Sequence, residues 1–207
     1  METRTETTPN LKKLLSPLKN HLHTFVTIKK TGTTEMKNTR FAKESLTIIT
    51  ELVLPNDTNT LNNLMGGRLL HWMDIAMAIS AQRHCKRIVV TASVNNVAFE
   101  RPIPMGSIVT LEAKVSRAFS SSIEVFVDVW MEDRLSGKKT KCNQAIYTFV
   151  AVDQLGSPIH VSEVIPETEE EKNRYNGALR RRQLSLILAG KMKPEEATEL
   201  KALFMPK

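Results

Sequence analysis

The segment from Gly66 to about Arg83 restricts the fold of this chain more than any other. Its residues 69–81 read LLHWMDIAMAISA and are apolar on nearly every side at helical spacing. This pattern predicts one helix of roughly five turns. Such a helix must be covered by other elements on several sides at once. The rest of the chain therefore has to supply a surface that wraps around a helix.

Five segments alternate apolar and polar residues in the manner of β-strands, and they supply such a surface. The short connections FSSS and RLSGKK favour antiparallel neighbours, because parallel strands need a crossover of about a dozen residues. We therefore predict an α+β fold in which a curved, mainly antiparallel sheet, wet on its other face, wraps around a long central helix. The predicted strands span residues 45–53, 87–94, 107–117, 121–133 and 140–153.

The two ends of the chain differ in composition from this central part. Residues 1–36 are rich in Thr, Lys and Asn and are predicted to form a flexible tail, because they bury too little apolar surface to offset the entropy of ordering. The alternative is an amphipathic anchor over residues 11–25, where leucines recur at helical spacing. The folded domain is expected over residues 42–154.

Residues 166–207 are predicted to form a C-terminal helical extension with two surface helices. Thr168 and Glu171 have the spacing of a capping box, and Gly177 is expected to interrupt the segment. Pro194 suits the first position of a last helix.

Charge and cysteine content exclude several classes of protein. The net charge is +7, and basic residues exceed acidic ones by 6 to 3 in residues 1–36, 14 to 12 in residues 37–165 and 9 to 7 in residues 166–207. No segment is a strongly basic arm, so no nucleic acid partner is expected. Cys85 and Cys142 lack metal-ligand spacing, which predicts neither a metal site nor a disulfide framework. We expect a cytoplasmic protein without a membrane span or a cofactor.

One narrow face of the predicted helix is polar, because Gly67, His71 and Asp74 share it at about 100° per residue. The structural interpretation is that Asp74 pairs with His71 or a backbone donor. The functional interpretation uses the helix start, where Gly66 and Gly67 let a ligand approach free N–H groups that stabilise an oxyanion. Both interpretations remain open on the residues alone.

Distance decides how the two parts of a functional site combine. Gly67 and Asp74 are seven residues apart, or about 10 Å along the helix. A small reacting centre cannot lie within about 3 Å of both. If Gly67 and Asp74 act in one site, they must therefore come from different chains, which predicts an obligate oligomer.

Several motifs in order resemble the acyl-CoA hydrolase family of hotdog-fold thioesterases. They are NTLNNLMGGRLLHWMD, RHCKRIVVTASVNNVAFERPI, SSIEVFVDVW and YTFVAVDQLGSPIHV, and the resemblance runs from about Lys43 to Val161. It implies a hotdog fold and hydrolysis of acyl-CoA to a free fatty acid and CoA. It also implies a homodimer as the minimal unit, commonly within a trimer of dimers.

The resemblance assigns roles to three residues. Asp74 matches the catalytic aspartate, Asn63 matches the asparagine ahead of the glycines, and Gly67 would supply the oxyanion amide. Two other functions remain as alternatives. A hotdog dehydratase would need a site histidine opposite the acid, and a non-catalytic acyl-CoA sensor would bind its ligand without needing Asp74.

Two further groups of residues are candidates for binding the substrate. Ser121 and Ser122, with Arg117 beside them, are hairpin-loop residues or ligands for the pantetheine arm or phosphates of CoA. The run from Arg180 to Arg182 is interpreted as a solvated helix face, with contact to the CoA phosphates as the lesser alternative.

Overall fold

The computed structural model of the protein describes residues 39–134 and 136–204, so the predicted tail over residues 1–36 lies outside the described residues. Within the described ranges, no helix is both long enough and apolar enough to cross a membrane. The same ranges contain no group of three or more His, Cys, Asp or Glu side chains arranged to hold a metal ion.

Five strands form one antiparallel sheet around a helix, as the alternation predicts, in the order β2-β4-β5-β6-β3. Two short strands, β1 and β7, form a separate parallel ladder. Strand β3 continues beyond its predicted end at residue 94 and is an edge of the main sheet. The strands are β1 Thr39–Phe41, β2 Thr47–Leu52, β3 Ile88–Phe99, β4 Ile108–Ala118, β5 Ser122–Glu132, β6 Lys139–Val152 and β7 Glu163–Ile165.

Helix α1, Gly66–Cys85, packs on the inner face of this sheet. Its side chains that face the sheet are buried, and they share the core with the inward residues of β4 and β5. One stripe stays uncovered, because His71 is exposed, Asp74 is only half-buried and Ile75 is 40% exposed. The described part of the chain therefore covers α1 on most sides but leaves this stripe open. The buried residues of α1 are Leu69, Trp72, Met73, Ala76, Met77, Ser80, Ala81 and His84.

The alternation predicted that the outer face of the sheet is exposed to water. This prediction is wrong for part of the face, because a second helix lies over it. Helix α2, Glu169–Leu188, places basic side chains against acidic residues of β5. Glu124 and Asp128 are 4% and 8% exposed as a result. The alternation identifies which side chains share a face of the sheet, but it does not reveal what packs on that face.

The C-terminal extension is helical, and its start is the predicted capping box. Thr168 Oγ1 accepts the N–H of Glu171, whose carboxylate accepts the N–H of Thr168 in return, each at 3.2 Å. Gly177 does not interrupt α2 but is buried within it. A Cβ at this position would lie 2.6 Å from the guanidinium of Arg181, so a larger residue would displace that side chain. The predicted last helix is reduced to a 3₁₀ turn, Pro194–Glu196, and a short helix α3, Thr198–Lys201.

His84 is the most deeply buried titratable side chain of α1. It is 0% exposed, and its Nε2 lies 2.8 Å from the carbonyl oxygen of Ser162, just before β7. Its Nδ1 has no hydrogen-bond partner among the residues described. Burial lowers the pKa of His84 and outweighs the opposing effect of the Ser162 contact. This imidazole is therefore harder to protonate in the folded protein than in the unfolded chain.

We expect the free energy of unfolding to decrease as the pH falls below about 6.5, the ordinary histidine pKa. The unfolded chain then binds a proton that buried His84 does not, so acid favours unfolding until the lowered pKa of the folded state is reached. Melting temperatures measured between pH 7.5 and pH 5 should decrease less steeply for His84→Gln than for the wild type. His160, which is exposed and lies outside α1, provides the control. His160→Gln should keep the wild-type slope, and equal slopes in all three proteins would contradict the prediction.

Candidate active site

The start of α1 is fixed by the turn that precedes it. The buried carboxylate of Asp57 accepts the N–H of Leu54 at 3.1 Å and pairs with the Arg68 guanidinium at 2.7 Å. The carbonyl oxygen of Asp57 accepts the N–H of Met65 at 2.9 Å. These contacts hold the residue before the helix in an extended conformation, so that the chain enters α1 at a defined angle.

The first N–H groups of α1 are available to a ligand. Gly66 and Gly67 occupy the first two helical positions, and neither N–H has an acceptor among the described residues. A Cβ on Gly66 would lie 3.0 Å from the ring of Phe99, whereas a Cβ on Gly67 would meet nothing within 4 Å. Free N–H groups at the positive end of a helix stabilise an anion or an oxyanion. A side chain at Gly66 would therefore crowd the exposed Phe99 ring, whereas the space beside the Gly67 Cα is open.

A cleft of about 380 Å³ opens at this point, and we call it the helix-start cleft. Asn59, Asn63, Gly66, Phe99 and Arg101 are among its lining residues. The Oδ1 of Asn59 accepts the N–H of Leu61 at 2.9 Å and that of Asn63 at 3.2 Å. The Asn63 side chain is half-buried and makes no hydrogen bond within the described part of the chain. The cleft thus brings the predicted Asn63 and Gly66 together and adds Asn59.

Asp74 lies on the open stripe of α1, two turns further along. Its Oδ1 accepts a hydrogen bond of 2.9 Å from the Thr91 hydroxyl in β3. The pairing with His71, one of the alternatives that the structural interpretation allowed, does not form, and the structure shows no donor to Oδ2 within the ranges it describes. We call these two residues the Asp74–Thr91 pair. One carboxylate oxygen is oriented by Thr91, and the other is free to accept a proton or a hydrogen bond.

Tyr147 in β6 lies next to the Asp74–Thr91 pair and is 2% exposed. Burial, followed by the negative charge of Asp74, raises the pKa of Tyr147 to about 12. This phenol therefore stays neutral at any physiological pH. It therefore does not act as a base.

The structure separates the remaining predicted residues from the helix-start cleft. Arg117 is stacked on the Tyr175 ring at 4.2 Å, and its Nη1 donates to the Tyr175 carbonyl oxygen at 3.2 Å. Ser121 and Ser122 line a different cleft, between α2 and the outer face of the sheet. Arg182 also lines that cleft, and its Nη1 donates to the Ser122 hydroxyl. The prediction that the run from Arg180 to Arg182 forms a solvated helix face is therefore wrong for Arg182.

Thr91, Phe99 and Tyr147 were not predicted from the sequence. All three lie on strands, and their link to α1 arises only when the sheet folds around the helix. The strand pattern offers one weak signal, since Thr91 falls on the inward face of β3, where an apolar residue is expected. The register confirms that position, because Thr91 lies opposite the buried Phe149.

Comparisons with known proteins match this fold and this segment. Residues 61–138 match the thioesterase superfamily. A Bacillus subtilis (strain 168) protein named uncharacterized acyl-CoA thioester hydrolase YkhA is 44% identical over 147 residues, which cover 71% of this chain and 86% of that protein. The structure of an apo-hexameric acyl-CoA thioesterase is 38% identical with a TM-score of 0.72, and the match covers 73% of this chain and 97% of that one.

A Staphylococcus aureus acyl-CoA hydrolase is also similar. Its complex with butyryl coenzyme A, coenzyme A and coenzyme A disulfide is 36% identical with a TM-score of 0.69, covering 74% of this chain and 95% of that one. Further structures of that enzyme carry alanine in place of an asparagine at its position 28, an aspartate at its position 43 and a threonine at its position 60. These matches have 36–44% sequence identity and each cover more than two thirds of this chain. The chain belongs to the thioesterase superfamily, as a hotdog-fold member of its acyl-CoA hydrolase family.

Proposed function

We propose that this protein hydrolyses acyl-CoA thioesters to a free fatty acid and CoA. The Asp74–Thr91 pair is the observation that carries the proposal. In the Staphylococcus aureus enzyme, the substituted asparagine, aspartate and threonine at positions 28, 43 and 60 are separated by 15 and 17 residues. The same spacings around Asp74 reach Asn59 and Thr91 in this chain.

The chemistry needs one base and one oxyanion site. Asp74 removes a proton from a water molecule as the water oxygen attacks the thioester carbon, and the carbonyl oxygen becomes an oxyanion. The Gly67 N–H, at the positive end of α1, donates to that oxyanion. When the tetrahedral intermediate collapses, the carbon–sulfur bond breaks and the CoA sulfur takes the proton from Asp74. The products are the carboxylic acid and the thiol, and no redox step is involved.

Two asparagines compete for the role of positioning the water or the thioester. The motif resemblance favours Asn63, and the spacing in the Staphylococcus aureus enzyme favours Asn59. Both line the helix-start cleft. The Asn59 Oδ1 is occupied by two backbone N–H groups, so its amide NH₂ is held in a fixed direction as a donor. We propose Asn59 as the positioning asparagine and keep Asn63 as a candidate contact on the same cleft.

We propose that each active site is shared between two copies of the chain. The helix-start cleft and the Asp74–Thr91 pair are separated by about 10 Å along α1, which is too far for one reacting centre. The open stripe of α1 and the free edge of β3 give a second copy a surface to pack on. On that edge, Ile88, Val90 and Val94 are each about half exposed. A long apolar edge strand is normally paired or covered, so pairing of β3 with its symmetry mate would bring the two half-sites together.

The activity is tested by the release of CoA thiol. The purified full chain, mixed with a thiol-trapping dye and acyl-CoA from acetyl to palmitoyl, should release thiol above background without added metal. If no CoA thiol were released with any of these substrates, the proposed hydrolysis would be wrong and a non-catalytic acyl-CoA-binding protein would be the better interpretation. A dehydratase would show no thiol release and would instead add or remove water on a hydroxyacyl or enoyl thioester.

Thr91→Val should lower kcat by about 10- to 100-fold with little change in KM. A hydrogen bond to a charged group contributes about 1.5–3 kcal/mol, and its loss leaves the Asp74 carboxylate free to rotate away from the water. Thr91→Ser keeps the hydroxyl and should retain most of the activity. If valine and serine lowered kcat equally, the hydroxyl would not be the feature that matters.

A further inference from the structure

A second cleft, of about 390 Å³, lies between α2 and the outer face of the sheet, and we call it the α2 cleft. Ser121, Ser122, Phe119, Arg182 and Lys191 are among its lining residues. It does not share a lining residue with the helix-start cleft. Its lining combines apolar side chains such as Phe119 and Leu186 with two arginines, a lysine and several hydroxyl groups, whereas an ordinary helix–sheet junction is apolar.

The acidic side chains at the contact between α2 and the sheet are already paired with cations. Glu171 pairs with Lys114 at 2.8 Å, and Asp128 pairs with Arg174 at 2.6 Å. Glu124, the one carboxylate that lines the α2 cleft, accepts from Arg181 Nε at 3.0 Å and from Arg181 Nη2 at 2.7 Å. It also accepts from the Ser116 hydroxyl at 2.5 Å. The negative charge of the cleft is therefore neutralised within the chain.

Arg182 is left without such a partner. Its Nη1 donates to the neutral Ser122 hydroxyl at 2.5 Å, and its guanidinium stacks on the Phe119 ring at 4.3 Å. It forms no ion pair with a described carboxylate. Burial lowers the pKa of Arg182, which reports that the guanidinium has lost part of its hydration. A guanidinium has five N–H donors, and a partly desolvated charge without a counter-charge is unfavourable.

Lys191 adds a second unpaired cation at the rim of the same cleft. It follows Gly190, whose φ of 66° turns the chain away from the end of α2. Its side chain is exposed and forms no ion pair within the described part of the chain. The Ser121 hydroxyl, also without a hydrogen-bond partner there, lines the cleft as a further donor. With Glu124 neutralised by Arg181, the two remaining cations leave the cleft with a net charge of about +2.

We propose that the α2 cleft binds a phosphate-bearing anion, of the phosphate monoester or diphosphate class, between Arg182, Lys191 and Ser121. Arginine binds phosphate oxygens through two parallel N–H donors, and lysine adds a point charge, so the pair matches a doubly charged phosphate better than a single carboxylate. The phosphate group has two possible sources, the nucleotide end of CoA and a free phosphate ester. This inference does not depend on the proposed hydrolysis, because binding can be measured without a thioester.

The direct test is calorimetric titration of the full chain with adenosine 3′,5′-bisphosphate, with adenosine as the uncharged comparison. The bisphosphate should bind and adenosine should not. Arg182→Gln and Lys191→Gln should each weaken binding by about 10- to 100-fold, the loss expected for a charge-assisted hydrogen bond. Arg180→Gln removes the same charge two residues earlier on α2, outside the cleft lining, and should bind like the wild type.

The two variants differ in their risk to the fold. Arg182→Gln removes a contact with Ser122, so its melting temperature must be compared with that of the wild type. Lys191→Gln alters an exposed side chain and should leave the melting temperature unchanged. Unchanged affinity in both variants, or equal losses in the Arg180→Gln control, would overturn the proposal.

The source of the phosphate is separated by two substrates. If the α2 cleft holds the nucleotide end of CoA, Lys191→Gln should raise KM for butyryl-CoA and leave KM for butyryl-pantetheine, which lacks phosphates, unchanged. If a free phosphate ester is the ligand, both KM values should stay unchanged while affinity for the bisphosphate still falls. Either result supports a phosphate site in the α2 cleft. If Lys191→Gln and Arg182→Gln both retain the wild-type affinity for the bisphosphate, the site is contradicted. This binding test does not require hydrolase activity.

Discussion

Replacing Asp74 by asparagine should lower the turnover of acyl-CoA by about 10²- to 10⁴-fold, the usual contribution of a general base. The change should leave the fold intact, because Asp74 is only half-buried and an amide oxygen can still accept the Thr91 hydroxyl at Oδ1. What disappears is the ability of the side chain to take a proton from water. The measurement is kcat from thiol release, with the melting temperature recorded on the same samples.

Asp153→Asn provides a charge-matched control for this experiment. The Oδ1 of Asp153 accepts the N–H groups of Leu155 and Ser157 in a surface turn, and an asparagine there keeps that acceptor. Its kcat should equal that of the wild type. If kcat fell by less than about tenfold in Asp74→Asn, or fell equally in both variants, Asp74 would not be the general base.

Replacing Asn59 by aspartate should lower kcat by about 10²- to 10³-fold, the loss expected when one positioned donor to the reacting centre is removed. The substitution is chosen because aspartate keeps Oδ1, which accepts the N–H groups of Leu61 and Asn63, while it replaces the NH₂ donor by a second, negatively charged oxygen. The turn ahead of α1 should therefore persist. Asn59→Ala would remove both functions and would not separate the donor from the turn.

Asn63→Asp is the charge-matched comparison on the same cleft. Because the Asn63 side chain makes no hydrogen bond among the described residues, this substitution should leave the turn unchanged. We expect the loss of kcat to be clearly smaller than in Asn59→Asp. A reversed order of the two losses would assign the positioning role to Asn63, as the motif resemblance suggested.

Periodicity predicts the parts of the fold that depend on local pattern. The all-round apolar character of residues 69–81 required a central helix, and the alternation in β4 identified its inward side chains correctly. The Thr168–Glu171 capping box was also predicted, since its geometry depends on residues within one turn. Each of these features is determined by neighbours in sequence, which is why a single sequence reveals them.

Contacts between distant segments were not predictable in the same way. The spacing of Asp74 suggested His71 as a partner, yet the partner is Thr91, which the folding of β3 against α1 brings to the carboxylate. The arginines of α2 form the other example. Helical spacing places Arg181 and Arg182 on neighbouring faces but does not reveal that the buried Glu124 lies opposite one of them.

Recovery of activity in mixed dimers is the direct test of a shared active site. Asp74→Asn and Asn59→Asp proteins, each inactive alone, are dissociated reversibly, mixed in equal amounts and reassociated. In a two-fold dimer with shared sites, half of the dimers are hybrids, and each hybrid has one site with an intact Asn59 from one chain and an intact Asp74 from the other. If the sites are shared, about one quarter of wild-type activity should be recovered. No recovery, with hybrids confirmed by mass, would contradict the shared site.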